Sequence, residues 1–312
     1  MPHESLPPPG EMIDIGGRRL HCIRKGAGRP TVVFESGGGG GSAIQDLPAQ
    51  RLVSAFARTL IYDRAGLGWS DPPPPGRSFV ERAGDLHALL AAVGETPPYV
   101  LVGGSFGGLT ARAFAYRYPD EIAGMVLLDA AEEQKYFPTM ALRRAWHDAD
   151  LKAAAAQVAS GEARREAEPQ VARARWFTDD EKPLLLEIVS RPSHFHASLE
   201  ELTAIDATAP EMQRAGGFGH LGDRPLIVLS SGKRPTGDYA VWAEGAEEAQ
   251  RRLARLSRNS AHITAPHTGH SMAMENPPLA AAAIAAVIKA AAGAPLDVTE
   301  VERLAASPPP RP

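Results

Sequence analysis

The sequence predicts an α/β protein built on a doubly wound, mostly parallel sheet with an inserted helical cap, and three observations carry that prediction. Short β-branched apolar runs alternate with stretches of helical periodicity along most of the chain, as a parallel sheet covered on both faces requires. Residues capable of chemistry, among them Ser36, Asp63, Ser105, Asp129 and His270, fall at or just after the ends of the predicted strands, where the loops of such a sheet converge. Between 132 and 221 the alternation stops, and β-branched runs give way to Ala, Arg and Glu at helical spacing. The chain therefore divides into a core of residues 1–131 and 222–312 and a cap of 132–221, with residues 1–10 and 307–312 expected as disordered tails.

In order, Glu11 to Ile15 and Arg19 to Arg24, joined through Gly16-Gly17, read as a β-hairpin. Thr31 to Glu35 is a short buried strand that runs into Ser36 and five consecutive glycines, Gly37 to Gly41. No Lys-Ser/Thr pair follows at the spacing of a phosphate loop, which argues against nucleotide binding. Thr59 to Tyr62 is the next strand and leads into Asp63-Arg64-Ala65-Gly66-Leu67-Gly68-Trp69-Ser70, after which Pro72 to Pro75 end regular structure. Apolar residues from Phe79 to Leu90 recur at helical spacing and stop near Gly94. Tyr99 to Val102 is a strand that turns through Gly103 to Gly108 into a helix, and Ile122 to Leu128 is a further strand. Prolines 138, 169, 183, 192 and 210 predict several short helices in the cap. The alternation resumes with a strand from Pro225 to Ser230, a helix from Tyr239 to Leu256, a strand at His262 to Thr264 and a last helix from Leu279 to Ala292.

Composition excludes several classes. A chain of 312 residues, 44% of them hydrophobic, can bury a full core. A net charge of −4 and a pI near 6.2 argue against nucleic acid or an anionic membrane as a partner. Cys22 is the sole cysteine, so no intrachain disulfide or cysteine-based metal site can form, and it reads as a small buried strand residue. The N-terminus lacks a basic segment followed by an apolar run, and no stretch reaches the roughly 18 apolar residues of a membrane span. A cytoplasmic protein, monomeric or homodimeric, is the resulting expectation.

The stretch that carries chemistry is Gly103-Gly104-Ser105-Phe106-Gly107. A strand turning sharply into a helix cramps the residue at the turn, and its flanks must lack side chains. Ser105 then projects its hydroxyl above the sheet edge, and the Phe106 N–H, at the first turn of the helix, faces the oxygen of a bound carbonyl. A serine hydroxyl needs a base. His270, after the last strand, beside Gly269 and before the last helix, is the candidate, ahead of His267. The pair His194 and His196 lacks a third metal ligand and reads as part of a polar cap loop; no metal and no cofactor are expected. An acid must orient the base, and two aspartates qualify. Asp129, at a strand tip, is favoured; Asp238, in what reads as a surface turn, is the alternative.

Taken together, the Phe34 to Gly41 loop, the Asp63 to Ser70 motif, the Gly103 to Gly108 elbow and Gly269-His270 resemble the α/β-hydrolase superfamily, in its cap-bearing serine-esterase group, over nearly the whole chain. The Ser, Asp, His order is also that of the family. The resemblance implies an oxyanion hole formed by the N–H groups of Phe106 and Gly38. Two departures stand out: Ser36-Gly37 occupies the place of the family's usual His-Gly, and Gly104 the place of the usual histidine before the nucleophile.

The implied reaction is hydrolysis of a small-molecule carboxylic ester of apolar or aromatic character through an acyl-enzyme on Ser105. Amides (an aminopeptidase included), lactones and carbon–carbon bonds are open to the same machinery, and a non-catalytic ligand-binding module is the rival from a different class. Glu35, Glu132 and Glu133 are the acids that would hold a substrate amine in an aminopeptidase. Gly37, Trp69 and Phe106 are expected to line the pocket. Phe137, Trp146, Trp176, Phe177 and Phe195 are the cap's candidates, most of them better read as packing of the cap on the core.

Overall fold

The computed structural model describes residues 5–38, 41–133, 152–153, 156–214, 220–233 and 244–312. Eight strands form one sheet: β1 (Glu11–Asp14), β2 (Arg19–Lys25), β3 (Thr31–Glu35), β4 (Thr59–Tyr62), β5 (Tyr99–Gly104), β6 (Ile122–Leu128), β7 (Leu226–Ser231) and β8 (Ser260–Ala265). Their spatial order is β1-β2-β4-β3-β5-β6-β7-β8. The β1–β2 and β2–β4 pairings are antiparallel, and the pairings from β4 through β8 are parallel.

The central strands are apolar at successive positions because both faces are covered. Period-two alternation then sorts their side chains into two cores. Leu101, Met125, Leu127, Leu226 and Val228 pack with Leu86, Leu89 and Phe114 of the helices α2 (Phe79–Ala92) and α3 (Gly107–Arg117). Their strand neighbours Val100, Val102, Val126 and Ile227 pack on the other face with Val53 of α1 (Leu47–Val53) and with Ile284 and Val287 of the helix Pro277–Ala291. Each fully buried aliphatic side chain contributes about 1.5–3 kcal/mol, so this two-sided sorting fixes strand register firmly.

Several elements depart from the sequence prediction. A 3₁₀ turn at Ala43–Asp46 and α1 follow the glycine run; the run's lack of side chains hid the helix beyond it. The helix expected over Tyr239 to Leu256 spans Ala246–Ala254 in the described residues, after Gly245 in a left-handed conformation (φ 65°). An additional helix, Thr299–Ala306, follows the one expected to be last and buries Val301 and Ala305. Between β6 and β7 the described residues of the insert are largely helical, with Glu162–Ala172, Lys182–Ile188 and Pro192–Arg214. Its prolines do not cut it as short as expected: Pro192 opens a 23-residue helix that continues through Pro210. Residues 5–10 lie against the core, where Leu6 O accepts from the Trp69 indole N–H (3.1 Å) and Pro9 O is 2.9 Å from His21 Nε2. Among the described residues, no helix is long and apolar enough to cross a membrane.

Candidate active site

Sheet backbone builds the turn at Ser105. Ser105 has φ 49°, in the left-handed region that side chains avoid. The strain is held by three hydrogen bonds: Ser105 N–H donates to Leu128 O (3.1 Å), and Ser105 O accepts from Gly108 N–H (3.0 Å) and Ala131 N–H (2.8 Å). The flanking glycines have no alternative. A Cβ on Gly107 would lie 2.0 Å from Glu35 O, and one on Gly103 would lie 2.7 Å from the Gly108 Cα. Gly104 has open space around it and lines the cavity beside Ser105.

Asp129 immediately follows β6, also at positive φ (45°), and its N–H donates to Leu229 O (2.7 Å). One carboxylate oxygen, Oδ1, accepts from Ser231 N–H at the tip of β7 (3.0 Å), which leaves Oδ2 directed at His270 Nδ1, 2.6 Å away. Glu275 holds the histidine loop from both sides: its carboxylate accepts from Gly269 N–H (3.0 Å) and Ser271 N–H (3.3 Å). The structure thus brings Asp129 and His270 together. Ser105 and His270 line one cavity of about 260 Å³, with Gly37, Gly38, Leu128, Met272 and Met274 among its walls.

The loop after β3 forms the opposite wall. Gly38 approaches Phe106 closely; a Cβ there would lie 2.9 Å from the Phe106 Cβ. Phe106 is the N-cap of α3, at the positive end of that helix. Ser36, standing where the family's histidine is usual, donates its hydroxyl to Asp46 Oδ2. Burial pushes the Asp46 carboxyl up to about 7, against the opposing pull of the Ser36 hydroxyl and the Arg64 cation. Arg64 donates to Ser36 O (2.6 Å) and Gly37 O (2.9 Å), so the loop is gripped through its backbone carbonyls. Asp63, the residue before it, is fully buried. Burial raises its carboxyl, but His21 Nδ1 and the N–H groups of Ala43 and Trp69 outweigh that and hold it below the usual carboxylate range.

Other predicted residues lie elsewhere. Trp69 is away from the cavity: its indole N–H is drawn to Leu6 O, its ring lies 5.2 Å from that of His21, and Arg191 sits over it. Phe177 is buried in the core cluster beneath the insert, consistent with packing. Phe195 meets the His194 ring edge-on. Glu35, Glu132 and Glu133 are engaged by the protein itself: Glu35 by Tyr62 Oη and Arg64, Glu132 by Arg252, and Glu133 by a two-pronged contact from Arg112. None of the three is thereby set aside for a substrate amine. His194 and His196 belong to the helix Pro192–Arg214 and not to a loop, and His194 Nδ1 accepts from Gly68 N–H (3.0 Å). Phe137, Trp146 and Asp238 lie outside the described residues.

Asp46, Glu201, Glu275 and the cavity-lining methionines were not singled out from the sequence. Arg64 was legible within its motif. The others carry no local signature, because their partners are distant in the chain or belong to the backbone.

The strand–turn–helix around Ser105 and the Asp129–His270 pair sit at the carboxyl edge of a parallel sheet, and residues 30–277 match the family model for the alpha/beta hydrolase fold. The chain belongs to the alpha/beta hydrolase family. The chain is 28% identical to the uncharacterized protein YqjL of Bacillus subtilis over 264 residues, covering 84% of this chain and 85% of that one. It is 36% identical over 140 residues to a probable transporter, efuK, of Hormonema carpetanum, covering 42% of this chain and only 20% of the relative's length. Among solved structures, a thermophilic esterase from Thermogutta terrifontis superposes with a TM-score of 0.61 at 21% identity, over 88% of this chain and 94% of that one, which is a likeness of fold.

Proposed function

We propose that this alpha/beta hydrolase is a serine esterase acting on small carboxylic esters with an apolar acyl group. The observation that carries the reading is the 2.6 Å contact between Asp129 Oδ2 and His270 Nδ1, at the mouth of a cavity that also holds Ser105 at a strained turn. A carboxylate on Nδ1 fixes the tautomer that leaves Nε2 free to accept a proton, and it stabilises the imidazolium that results. Ser105 Oγ attacks the ester carbonyl while His270 takes its proton; His270 then returns the proton to the departing alcohol. Water, activated by the same histidine, releases the acid. The N–H groups of Phe106 and Gly38 receive the tetrahedral oxyanion, at about 3 kcal/mol per donor. Leu128, Met272, Ala273 and Met274 give the cavity an apolar wall, and its size suits a short to medium acyl chain. The helical insert serves as the cap, and the substrate enters beneath it.

The test is hydrolysis of a p-nitrophenyl ester series, acetate to decanoate, by wild type and Ser105→Ala. The expected result is a loss of at least about 10⁴-fold in kcat for the variant and a wild-type optimum at short to medium chains. Equal rates in the two proteins would overturn the reading.

A further inference from the structure

The long helix of the insert, Pro192–Arg214, meets the core along a polar seam. His194 accepts from Gly68 N–H (3.0 Å), Glu201 takes Arg64, and Thr208 Oγ1 accepts from Phe79 N–H (2.8 Å). These three residues are seven apart, so they lie on one helix face two turns from each other, and all are buried.

Of the three, only Glu201 reaches the catalytic region. All five N–H groups of Arg64 are in use: Nε and Nη2 on the two oxygens of Glu201 (2.6 and 3.0 Å), Nη1 on Ser36 O (2.6 Å) and, more loosely, on Glu35 Oε2 (3.4 Å), and Nη2 also on Gly37 O (2.9 Å). A guanidinium is planar and its donors are rigidly fixed. Glu201, gripping it by two prongs, therefore sets where the donors to the loop carbonyls point. Glu35 cannot take over this role, since its carboxylate is shared with Tyr62 Oη and touches Arg64 only once. Arg82, 3.6 Å from Glu201, adds a second buried cation that the same carboxylate balances.

The Gly37 carbonyl and the Gly38 N–H belong to one peptide unit. That unit is planar, and in the trans form its C=O and N–H point in opposite directions. Drawing the Gly37 carbonyl toward Arg64 turns the Gly38 N–H the other way. A cation on the carbonyl also polarises the amide and strengthens it as a donor.

We propose that Glu201 is a positioning residue for the oxyanion hole: through Arg64 it fixes the peptide that presents the Gly38 N–H, so the inserted helix contributes to transition-state stabilisation without touching substrate. The inference rests on the esterase reading above, with Gly38 as an oxyanion donor.

The test compares wild type, Glu201→Gln and Thr208→Val on p-nitrophenyl acetate and p-nitrophenyl octanoate, with inhibition by an alkyl trifluoromethyl ketone, whose adduct with Ser105 places a negative oxygen in the hole. Glu201→Gln should lower kcat on acetate about 10-fold with KM within about 2-fold, and weaken the ketone by a similar factor. Thr208→Val breaks a neighbouring bond of the same helix with no link to the loop and should leave acetate kcat within about 2-fold. Unchanged kcat and ketone affinity in Glu201→Gln, or a change confined to KM for octanoate, would overturn the proposal, since loosened helix packing would act only on substrates long enough to reach it. If Glu201→Gln does not fold, Arg64→Lys serves. Its three donors radiate from one point and cannot reproduce the planar fork that grips both Glu201 oxygens while reaching both carbonyls, so the same loss of kcat is expected and its absence overturns the proposal. Ser105→Ala in parallel separates the levels: an inactive Ser105→Ala beside a fully active Glu201→Gln removes this inference alone, whereas an active Ser105→Ala removes the esterase reading and this inference with it.

Discussion

The two walls of the cavity are held in different ways. On one side, Ser105 is fixed by backbone hydrogen bonds to Leu128, Gly108 and Ala131, all within 26 residues of it in sequence and all belonging to the sheet or the turn. On the facing side, the Ser36–Gly38 loop is held by side chains: the Asp46 carboxyl group on Ser36, and Arg64 on two carbonyls, itself gripped by Glu201 far along the chain. Backbone-built geometry tolerates almost any side chain except where space forbids one. Geometry built by side chains depends on each partner, and graded substitutions can tune it.

The largest effect expected from this contrast, on the proposed mechanism, is at Asp129, which the sheet positions. Asp129→Asn should lower kcat/KM on the order of 10³–10⁴-fold with little change in melting temperature, because the amide leaves His270 in the wrong tautomer. Steady-state kinetics beside Asp238→Asn decides it: near-normal turnover in Asp129→Asn with loss in Asp238→Asn would transfer the role.

Next comes the backbone of the Ser105 turn. Gly107→Ala drives a Cβ to 2.0 Å from Glu35 O, where backbone must move, and should cost about 3 kcal/mol or more. Denaturant unfolding checks it, and Gly104→Ala, in open space, should cost well under 1 kcal/mol by comparison.

A smaller effect is expected on the facing wall. Ser36→Ala removes the hydroxyl that anchors the loop to Asp46 while the Arg64 contacts stay. A drop of about 10-fold in kcat/KM, with KM little altered, corresponds to one lost hydrogen bond to a buried carboxyl. Loss as large as that of Asp129→Asn would show the two walls to be equally rigid.

A separate effect, on stability and not on turnover, is a pH dependence. Burial keeps the Asp46 carboxyl protonated up to about 7 in the folded chain, whereas the unfolded chain ionises it near about 4. The folded state thus binds the extra proton between those limits. This contribution to stability is fully present below about pH 4 and is lost as pH rises to about 7. Asp46→Asn has no such proton, so wild type should lose melting temperature relative to the variant across that window: about three pH units correspond to at most about 4 kcal/mol, or on the order of 10 °C. Parallel thermal melts from pH 4 to 8 measure it, and a flat difference would show that the carboxyl is not held neutral.

The sequence by itself determined the sheet, through apolar strand runs that must be covered on both faces, and the sharp turn at Ser105, since Gly103 and Gly107 leave that loop little other conformation. It also put His270 and Asp129 at strand ends, where a parallel sheet gathers its loops. The pairing of His270 with Asp129 was decided by tertiary structure. It depends on β7 lying between β6 and β8, with Ser231 N–H taking the carboxylate's other oxygen. Trp69 was misread because an exposed-looking aromatic in a loop motif gives no hint that Leu6, His21 and Arg191 will enclose it. The ends of helices were blurred where left-handed Gly245 or a tolerated Pro210 overrode local propensity. Local sequence records constraints that act between near neighbours, such as periodicity and steric exclusion. The Glu201–Arg64–Gly37 chain spans 137 residues between its charged partners, and only the folded arrangement, in which buried charges must find partners, brings it together.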